Sequence, residues 1–437
     1  MTGYLLQRAW VDGEVRDTVR VEVEHGRITE VEVDSERAGI PVRGLTLPGF
    51  ANTHSHAFHR ALRGRTQADR GTFWTWREQM YAVAGRLDPD SYYALARATY
   101  AEMVAAGYTS VGEFHYVHHQ PDGTPHADPN ALGLALIAAA RDVGIRITLL
   151  DTLYLSSGFG AQPQGVQVRF SDGSAEAWRE RVEALRAALE GSPGACVGVA
   201  AHSVRAVPAA ALDALQPFVA DGTPFHIHLS EQVQENADCL AATGVTPTRL
   251  LADHGLLGPM TSAVHATHLT IDDIALLGGA GCFASFCPTT ERDLGDGIGP
   301  SRQLLAAGAR VTLGSDSHAI IDAFEEMRAL ELDERLATQA RGHWSAAELL
   351  VAAGEDGQRS LGWADAGRIA VGCLADLVTI DTDSMRTAGT GAGAHTAVFA
   401  AAGADVRQVM VDGRVVFSGD HGAVGRDLSE AIGRIWT

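Results

Sequence analysis

The middle of the chain alternates short apolar runs with longer amphipathic stretches. Between about residues 48 and 366, eight runs rich in apolar or β-branched residues read LTLPGFANTHSH, YTSVGEFHY, RITLLDTLY, CVGVAAHSV, FHIHLSE, SAVHATHL, CFASFCPTT and RVTLGSDSH. The stretches between them, such as AEAWRERVEALRAALEG and PAAALDALQPFVADG, have the periodicity of amphipathic helices. Eight strand–helix repeats predict parallel βα units that close into an α/β, (β/α)8 TIM-like barrel. An open doubly wound sheet is the alternative.

Both ends of the chain carry a different pattern, in which polar and apolar residues alternate over short runs. VRVEVEHG and ITEVEVD stand near the start, and IAVGCLADLVTID and VRQVMVDGRVVFSG near the end. Such alternation predicts antiparallel strands with polar outer faces, and Asp412-Gly413 is typical of a hairpin turn. We therefore expect a small β-sandwich module built from residues 1–47 and 367–437, which flank a barrel domain over residues 48–366.

Composition narrows the chemistry that this chain can perform. All 34 basic residues are arginine, which excludes a Schiff-base lysine, a Walker lysine and a carboxylated lysine that bridges two metals. The 34 arginines are outnumbered by 54 acidic residues. The resulting net charge of −20 argues against a nucleic-acid partner, because phosphates would be repelled. The five cysteines form no CxxC pair, which disfavours a thiolate zinc site or a disulfide scaffold.

The hydropathy pattern disfavours a membrane protein. The start of the chain, MTGYLLQRAWVDGEVR, has no apolar core of the kind that a signal peptide requires. The longest aliphatic stretch ends at Arg141 and is too short to cross a bilayer. We expect a soluble protein of the cytoplasm that has no membrane partner.

Histidines and carboxylates stand at the carboxyl ends of several predicted strands. In a parallel barrel these ends meet at one mouth. His54 and His56 are two residues apart, so both imidazoles can lie on one face and reach one metal ion. His228 is the expected third ligand because it lies nearer the strand end than His226, which we expect to be an interior histidine. Asp316, at the end of the eighth strand, can supply the carboxylate ligand.

Two further residues are candidates for proton transfer at the same mouth. Glu231 follows the strand that carries His228 and is placed to move protons rather than to bind metal. Asp316 can accept a proton from the attacking water molecule, and His265 can hydrogen-bond that water. His268 and His318 have no predicted role beyond structural support.

The expected ligands are three histidines and one carboxylate, without cysteine. This set suits zinc, with iron or manganese also compatible. A single divalent ion is expected because no lysine is present to bridge a pair of metals. Such an ion would act as a Lewis acid and lower the pKa of water from about 15.7 towards 7.

Four motifs resemble those of the metal-dependent amidohydrolase superfamily. They read LPGFANTHSHAFHR, HIHLSEQ, VHATHLT and LGSDSH, and they occur in this order. GRIAVGCLADLVTID and VRQVMVDGRVVF are similar to the superfamily's terminal β-module, so the likeness covers nearly the whole chain. The deaminase branch implies one metal with no lysine ligand, and the corresponding positions are His54, His56, His228, Glu231, His265 and Asp316.

Other segments resemble, more narrowly, the deaminases that hydrolyse N-formimino-L-glutamate to N-formyl-L-glutamate and ammonia in histidine degradation. They are GTFWTWREQMY at 71–81, EFHYVHH at 113–119, AHSVRAV at 201–207 and TE with LGDG within 290–297. The resemblance implies a small dicarboxylate substrate and a homodimer. It also implies that the substrate carboxylates are bound by Arg77, Tyr116, His202 and Arg205.

The net charge of the protein and the residue at position 59, where the sequence departs from this pattern, both bear on the choice of substrate. A dicarboxylate that enters a protein of net charge −20 needs local arginine forks, which bind carboxylates through two hydrogen bonds. Arg77 also has an alternative role, packing on Trp74 or Trp76. At His59 the resemblance implies a glutamine that touches the substrate. A histidine there can still donate a hydrogen bond, and the choice between formimino-glutamate and formimino-aspartate stays open.

The residues leave rival functions to be tested. A deaminase of guanine, cytosine or an adenosine derivative would use the same metal motifs but not the two arginines. A hydrolase of the same substrate could release formamide instead of ammonia. A catalytically dead barrel that acts as a binding protein is disfavoured, because the ligand set and the acid–base residue are all present.

Overall fold

The computed structural model describes residues 1–67 and 73–437, of which 73 and 74 through the backbone alone. Part of one predicted motif, Gly71-Thr72, therefore lies outside the described residues. The strands within this part of the chain are β1 Thr2–Val11, β2 Glu14–Glu24, β3 Arg27–Glu32, β4 Ile40–Pro48, β5 Phe50–Ser55, β6 Tyr108–His115, β7 Arg146–Leu153, β8 Ala195–Ser203, β9 Phe225–Leu229, β10 Thr261–His265, β11 Phe283–Phe286, β12 Arg310–Leu313, β13 Leu377–Ile380, β14 Val406–Val411 and β15 Arg414–Phe417.

Helices fill most of the intervals between the strands. The α-helices are α1 Phe73–Ala84, α2 Pro89–Ala105, α3 Ala131–Val143, α4 Ala175–Ala188, α5 Ala209–Leu212, α6 Gln216–Ala220, α7 Val233–Thr243, α8 Pro247–Asp253, α9 Ile271–Gly279, α10 Pro288–Leu294, α11 Ser301–Ala307, α12 Ala323–Thr338, α13 Ala346–Val351, α14 Gly357–Ser360, α15 Ala394–Phe399 and α16 His421–Trp436. Short 3₁₀ turns include Ala57–Leu62 and Gly165–Phe170. Among the residues described, no helix combines the length and the apolar character that crossing a bilayer requires.

The eight predicted runs all form strands of one parallel sheet, in the order β12-β11-β10-β9-β8-β7-β6-β5. The two edges of this sheet meet. Ser55 forms a β-bridge with Asp316, and the Thr53 hydroxyl donates to the Leu313 carbonyl at 2.9 Å. The Asn52 side chain also donates to the Ser315 hydroxyl at 2.7 Å. These contacts close the barrel, which confirms the predicted fold class.

Helix α4 illustrates how the amphipathic stretches cover the barrel. The Ser174 side chain caps its start by accepting the backbone N–H of Ala177, and the apolar face buries Trp178, Val182 and Leu185. Burial of each apolar side chain of this size contributes about 1.5–3 kcal/mol. The amphipathic stretch predicted from the sequence is therefore a helix whose apolar face packs on the strands.

One predicted helical stretch is broken in the structure. PAAALDALQPFVADG forms two short helices, α5 and α6, rather than one continuous helix. Pro217 lies in the first turn of α6. Because proline has no N–H group and its ring clashes with the preceding turn, it starts a helix readily but cannot continue one.

The chain ends together form a second, seven-stranded sheet in the order β15-β14-β13-β4-β1-β2-β3. Strands β1 and β4 are parallel, and the other neighbouring pairs are antiparallel. The outer strand β3 bonds back to residues 372–375, so the sheet curls around a small apolar core. Arg146 at the start of β7 pairs with Asp376 at 2.8 Å, which ties this module to the barrel. The exact domain boundaries, 47/48 and 366/367, stay predictions.

Candidate active site

Four side chains converge at the carboxyl ends of the barrel strands. One ligand atom from each of His54, His56, His228 and Asp316 lies within 4.8 Å of the others, and all four residues are buried. Asp316 Oδ1 is 3.3 Å from His54 Nε2 and 3.2 Å from His56 Nε2. His54 Nε2 and His228 Nε2 are 3.0 Å apart. The structure thus brings together the four residues that the sequence predicts as ligands of one ion.

The second ring nitrogens show that these histidines fit a metal. His56 Nδ1 is 3.0 Å from the Phe114 carbonyl, and His228 Nδ1 is 2.8 Å from the His202 carbonyl. Each Nδ1 therefore carries the hydrogen, which leaves the Nε2 lone pair directed into the cluster. Burial lowers the pKa of His54 to about 3 and the pKa of His228 well below its usual value, so both imidazoles are neutral. Neutral imidazole is the form that binds a metal.

The backbone at the strand ends is bent so that these side chains face the mouth. Ser230, His265 and Asp316 all have positive φ angles, of 53°, 67° and 38°. Residues other than glycine adopt this left-handed conformation at a cost, and such strain is concentrated at functional sites. The backbone N–H of Asp316 also donates to the His54 carbonyl at 2.9 Å, which fixes the carboxylate beside the HxH pair.

The two predicted proton-transfer residues lie next to the cluster. His265 Nε2 is 4.0 Å from Glu231 Oε1 and 3.9 Å from Asp316 Oδ2. Burial opposes a charge on His265, but the neighbouring Glu231, Asp316 and Glu291 carboxylates raise its pKa to about 10. His265 is therefore positively charged at neutral pH. Burial alone would raise the pKa of Asp316, but its contacts with His54 and His56 hold that pKa well below its ordinary value.

Glu291 supports His265 and was not assigned a role from the sequence. Glu291 Oε1 is 3.3 Å from His265 Nδ1 and accepts the backbone N–H of Cys287 at 2.9 Å. The carboxylate, at the start of α10, thereby holds the imidazole ring from the side opposite Glu231. Its motif was noted in the sequence, but no spacing rule connects residue 291 with residue 265.

A second buried carboxylate supports the HxH segment. Glu113 accepts hydrogen bonds from the Ser55 hydroxyl at 2.6 Å and from the backbone N–H of Ala57 at 2.7 Å. These two donors flank His56. Burial raises the pKa of Glu113 to about 7 despite these hydrogen bonds. His318 Nε2 lies 3.2 Å from the same Ser55 hydroxyl, so His318 belongs to this supporting network.

All five predicted substrate-binding residues line the pocket that opens above the cluster. This pocket is bounded by His59, Arg77, Tyr116, His202 and Arg205, and also by His56, His228, Glu231, His265 and Asp316. His59 Nε2 is 3.2 Å from the Tyr116 hydroxyl, and the His59 and His56 ring centroids are 4.5 Å apart. The sequence prediction therefore selected residues of one cavity.

The two arginines are held in different ways. Arg77 donates from Nε to the Tyr81 hydroxyl at 2.8 Å and lies 5.1 Å above the Tyr81 ring. The suggested packing on Trp74 concerns a side chain outside the described part of the structure. Arg205 has a buried Nε that meets no hydrogen-bond partner among the described residues. Burial opposes its charge, but the Glu235 and Glu231 carboxylates raise the pKa of Arg205.

The remaining histidines of the motifs have structural contacts. His226 is buried in the barrel, with Nε2 3.5 Å from the Ser360 carbonyl, and it is not part of the ligand cluster. His268 Nε2 lies 2.8 Å from the Asp296 carbonyl. Both positions agree with the supporting roles that were expected.

Comparison with known proteins defines the class. The sequence profile of the amidohydrolase family matches residues 45–416, so the chain belongs to the amidohydrolase family. It is 38% identical to a formimidoylglutamate deiminase from Pseudomonas aeruginosa over 437 aligned residues, which cover 96% of each chain.

Solved structures agree with this class. The crystal structure of an amidohydrolase from Brucella melitensis superposes with a TM-score of 0.91, at 33% identity and with all of both chains covered. An adenosine deaminase from Xanthomonas campestris, solved with bound zinc, has a TM-score of 0.86 at 23% identity. That comparison covers 100% of this chain and 98% of the other, and it shows the shared fold.

Proposed function

We propose that this enzyme hydrolyses N-formimino-L-glutamate to N-formyl-L-glutamate and ammonia, with one zinc ion held by His54, His56, His228 and Asp316. The observation that carries the proposal is the position of the four-residue cluster, an acid–base carboxylate and two arginines around a single pocket. The name of the Pseudomonas aeruginosa relative supports the choice of substrate. The zinc of the Xanthomonas campestris structure supports the choice of metal. Location in the cytoplasm and assembly as a homodimer stay predictions.

The bound ion would supply Lewis acidity and lower the pKa of water from about 15.7 to about 7. Asp316 then accepts the proton of the attacking water. The positively charged His265, 3.9 Å from Asp316 Oδ2, orients that water and stabilises the negative charge that develops on its oxygen. The water oxygen bonds to the formimino carbon, which becomes tetrahedral.

Glu231 transfers protons to the imino nitrogen of the substrate. It lies at the edge of the pocket, and its carboxyl group donates a proton to the imino nitrogen as the water adds. A second proton, passed from the water by way of Glu231, completes the ammonia molecule when the C–N bond breaks. The proton held by Asp316 then returns to Glu231, which restores both carboxyl groups. The water oxygen stays on carbon as the formyl oxygen, and the two protons gained by the nitrogen equal the two lost by water, so the atoms balance.

The substrate carboxylates are assigned to the basic wall of the pocket. Arg205 stands two residues after the end of β8 and Arg77 in the first half of α1, so donors reach the pocket from two separate elements. Guanidinium groups bind carboxylates with two hydrogen bonds. His202, Tyr116 and His59 supply further polar groups between the arginines and the cluster.

Glu291 provides a test of how His265 is held. We expect Glu291→Ala to lower kcat by about 10- to 100-fold, because the His265 ring loses the partner of its Nδ1. Glu291→Gln keeps an oxygen acceptor for that hydrogen and should retain more activity than the alanine variant. Both variants should keep their metal, as measured by elemental analysis. If the alanine variant were as active as the unaltered enzyme, Glu291 would have no role in holding His265.

The proposed substrate is tested by measuring ammonia release from a panel of compounds. We expect release from N-formimino-L-glutamate, slower release from N-formimino-L-aspartate, and none from guanine, cytosine or adenosine. Release from one of the bases alone would favour the ring-deaminase reading. Formamide in place of ammonia would show that the other C–N bond is cleaved.

A further inference from the structure

Tyr81 and Tyr154, which have no role in the mechanism above, line the pocket and are hydrogen-bonded to the same glutamine, Gln167. The side-chain amide of Gln167 donates to the Tyr81 hydroxyl at 3.0 Å and to the Tyr154 hydroxyl at 2.9 Å. Both tyrosines line the pocket, whereas Gln167 lies behind them in the 3₁₀ turn Gly165–Phe170 and is only 5% exposed. One buried amide thus contacts two tyrosines that belong to different elements, α1 and the segment after β7.

The direction of these hydrogen bonds is set by the backbone. The N–H of Gln164 donates to Gln167 Oε1 at 3.2 Å, which identifies this atom as the amide oxygen. The opposite atom is therefore the nitrogen, and its two hydrogens point at the two tyrosine oxygens. Both tyrosines must act as acceptors towards Gln167.

The hydrogen bonds that Tyr81 and Tyr154 accept determine where their own hydroxyl hydrogens lie. The Tyr81 oxygen also accepts the Nε–H of Arg77 at 2.8 Å, so both of its lone pairs are used. The hydrogens of the Tyr81 and Tyr154 hydroxyls meet no acceptor among residues 1–67 and 75–437, and both groups face the pocket. Burial raises the pKa of Tyr154, so this hydroxyl keeps its proton. Two oriented donors are available to a ligand with an anionic oxygen.

These donors lie at the far side of the pocket from the metal cluster. The His202 ring stands between Tyr154 and the cluster. Its centroid is 5.0 Å from the Tyr154 ring and 5.0 Å from the ring of His228, which belongs to the cluster. A substrate whose reacting carbon is at the cluster must therefore reach the tyrosines with its distal end. In formimino-glutamate the distal end is the side-chain carboxylate.

We infer that Tyr81 and Tyr154, oriented by Gln167, donate the hydrogen bonds that recognise the side-chain carboxylate of the substrate beside Arg77. The inference rests on the proposed function for the identity of the substrate. The recognition itself requires only a carboxylate at this end of the pocket. Gln167 is a positioning residue, since it touches the two tyrosines rather than the ligand.

Binding of glutarate to the zinc-loaded enzyme tests the recognition without turnover. We expect Tyr154→Phe and Tyr81→Phe each to weaken glutarate binding by about 10- to 100-fold in calorimetry, as for loss of a hydrogen bond to a charged group. Tyr93→Phe is the matched control, because Tyr93 donates to Asp142 on the outside of the barrel. Unchanged glutarate affinity in both pocket variants would overturn the inference.

Gln167→Glu tests the orientation of the donors. A carboxylate of the same size accepts hydrogen bonds from both tyrosines, so their hydrogens turn away from the pocket and a negative charge is added behind it. We expect this variant to lose more glutarate affinity than either tyrosine variant, with zinc content unchanged and a lower melting temperature from the buried charge. Glutarate affinity equal to that of the unaltered enzyme would contradict the assigned orientation.

Turnover separates this inference from the proposed function. With N-formimino-L-glutamate, Tyr154→Phe should raise KM by about 10-fold or more, with little change in kcat. With N-formimino-L-norvaline, which has a methyl group in place of the side-chain carboxylate, the same substitution should change kcat/KM by less than about twofold. Equal losses with both compounds would overturn the inference. An unaltered enzyme that turns over neither compound but binds glutarate through the tyrosines would refute the proposed function alone.

Discussion

Glu231→Gln should yield a folded, metal-loaded protein that releases ammonia from N-formimino-L-glutamate about 10²- to 10⁴-fold more slowly than the unaltered enzyme. The amide keeps the size of the carboxyl group but cannot take a proton from water and pass it to nitrogen. Because Glu231 is not one of the four clustered ligands, the metal content should not change. Steady-state kcat, measured by ammonia detection and normalised to bound metal, gives the result.

The control for this variant is Glu348→Gln. Glu348 lies on the first turn of α13, where it pairs with Arg302 at 2.9 Å, away from the barrel mouth. This substitution makes the same chemical change and should leave kcat within about twofold, because surface ion pairs contribute little. If Glu231→Gln retained full kcat, another group would have to carry the proton.

His228→Ala should release the metal and with it the activity. The loss should exceed the about 10- to 100-fold effect expected for an outer partner of a metal site, since one of the ligands is removed. The remaining ligand atoms, on His54, His56 and Asp316, would hold an ion more weakly. Metal content by elemental analysis and ammonia release are measured on the same preparation.

His226→Gln provides a stringent control for His228. Both histidines belong to β9 and both are buried, but only His228 lies in the cluster. The His226 variant should therefore keep its ion and most of its activity, with at most a loss of stability from the altered contact with Ser360. Loss of metal from the His226 variant, with retention in the His228 variant, would reverse the assignment.

The barrel and the cluster could be predicted because their signals are local. Alternation places His54 and His56 on one face of a strand, and eight parallel strands bring their carboxyl ends to one mouth. Asp316 meets the HxH pair because β5 and β12 are neighbours in the closed barrel, as the bridge from Ser55 shows. The small β-module from both chain ends followed from the same alternation, although its strands β1 and β4 pair in parallel and not antiparallel as expected.

Other features of the site have no local signal. Glu291 reaches His265, and Gln167 reaches Tyr81 and Tyr154, across elements whose relative placement only the fold determines. The left-handed φ of Asp316, 38°, accompanies the hydrogen bond that its backbone N–H donates to the His54 carbonyl where the barrel closes. By contrast, the break between α5 and α6 has a local signal, Pro217, although the sequence analysis treated this stretch as one helix.

The central claim is that one ion in the cluster of three histidines and Asp316 drives hydrolysis of the formimino group. Its most direct test is to strip the enzyme with a chelator, add zinc back in steps, and record the rate of ammonia release from N-formimino-L-glutamate at each step. We expect no release from the stripped protein and a linear rise that stops at one zinc per chain. Undiminished ammonia release from the stripped protein would contradict the account.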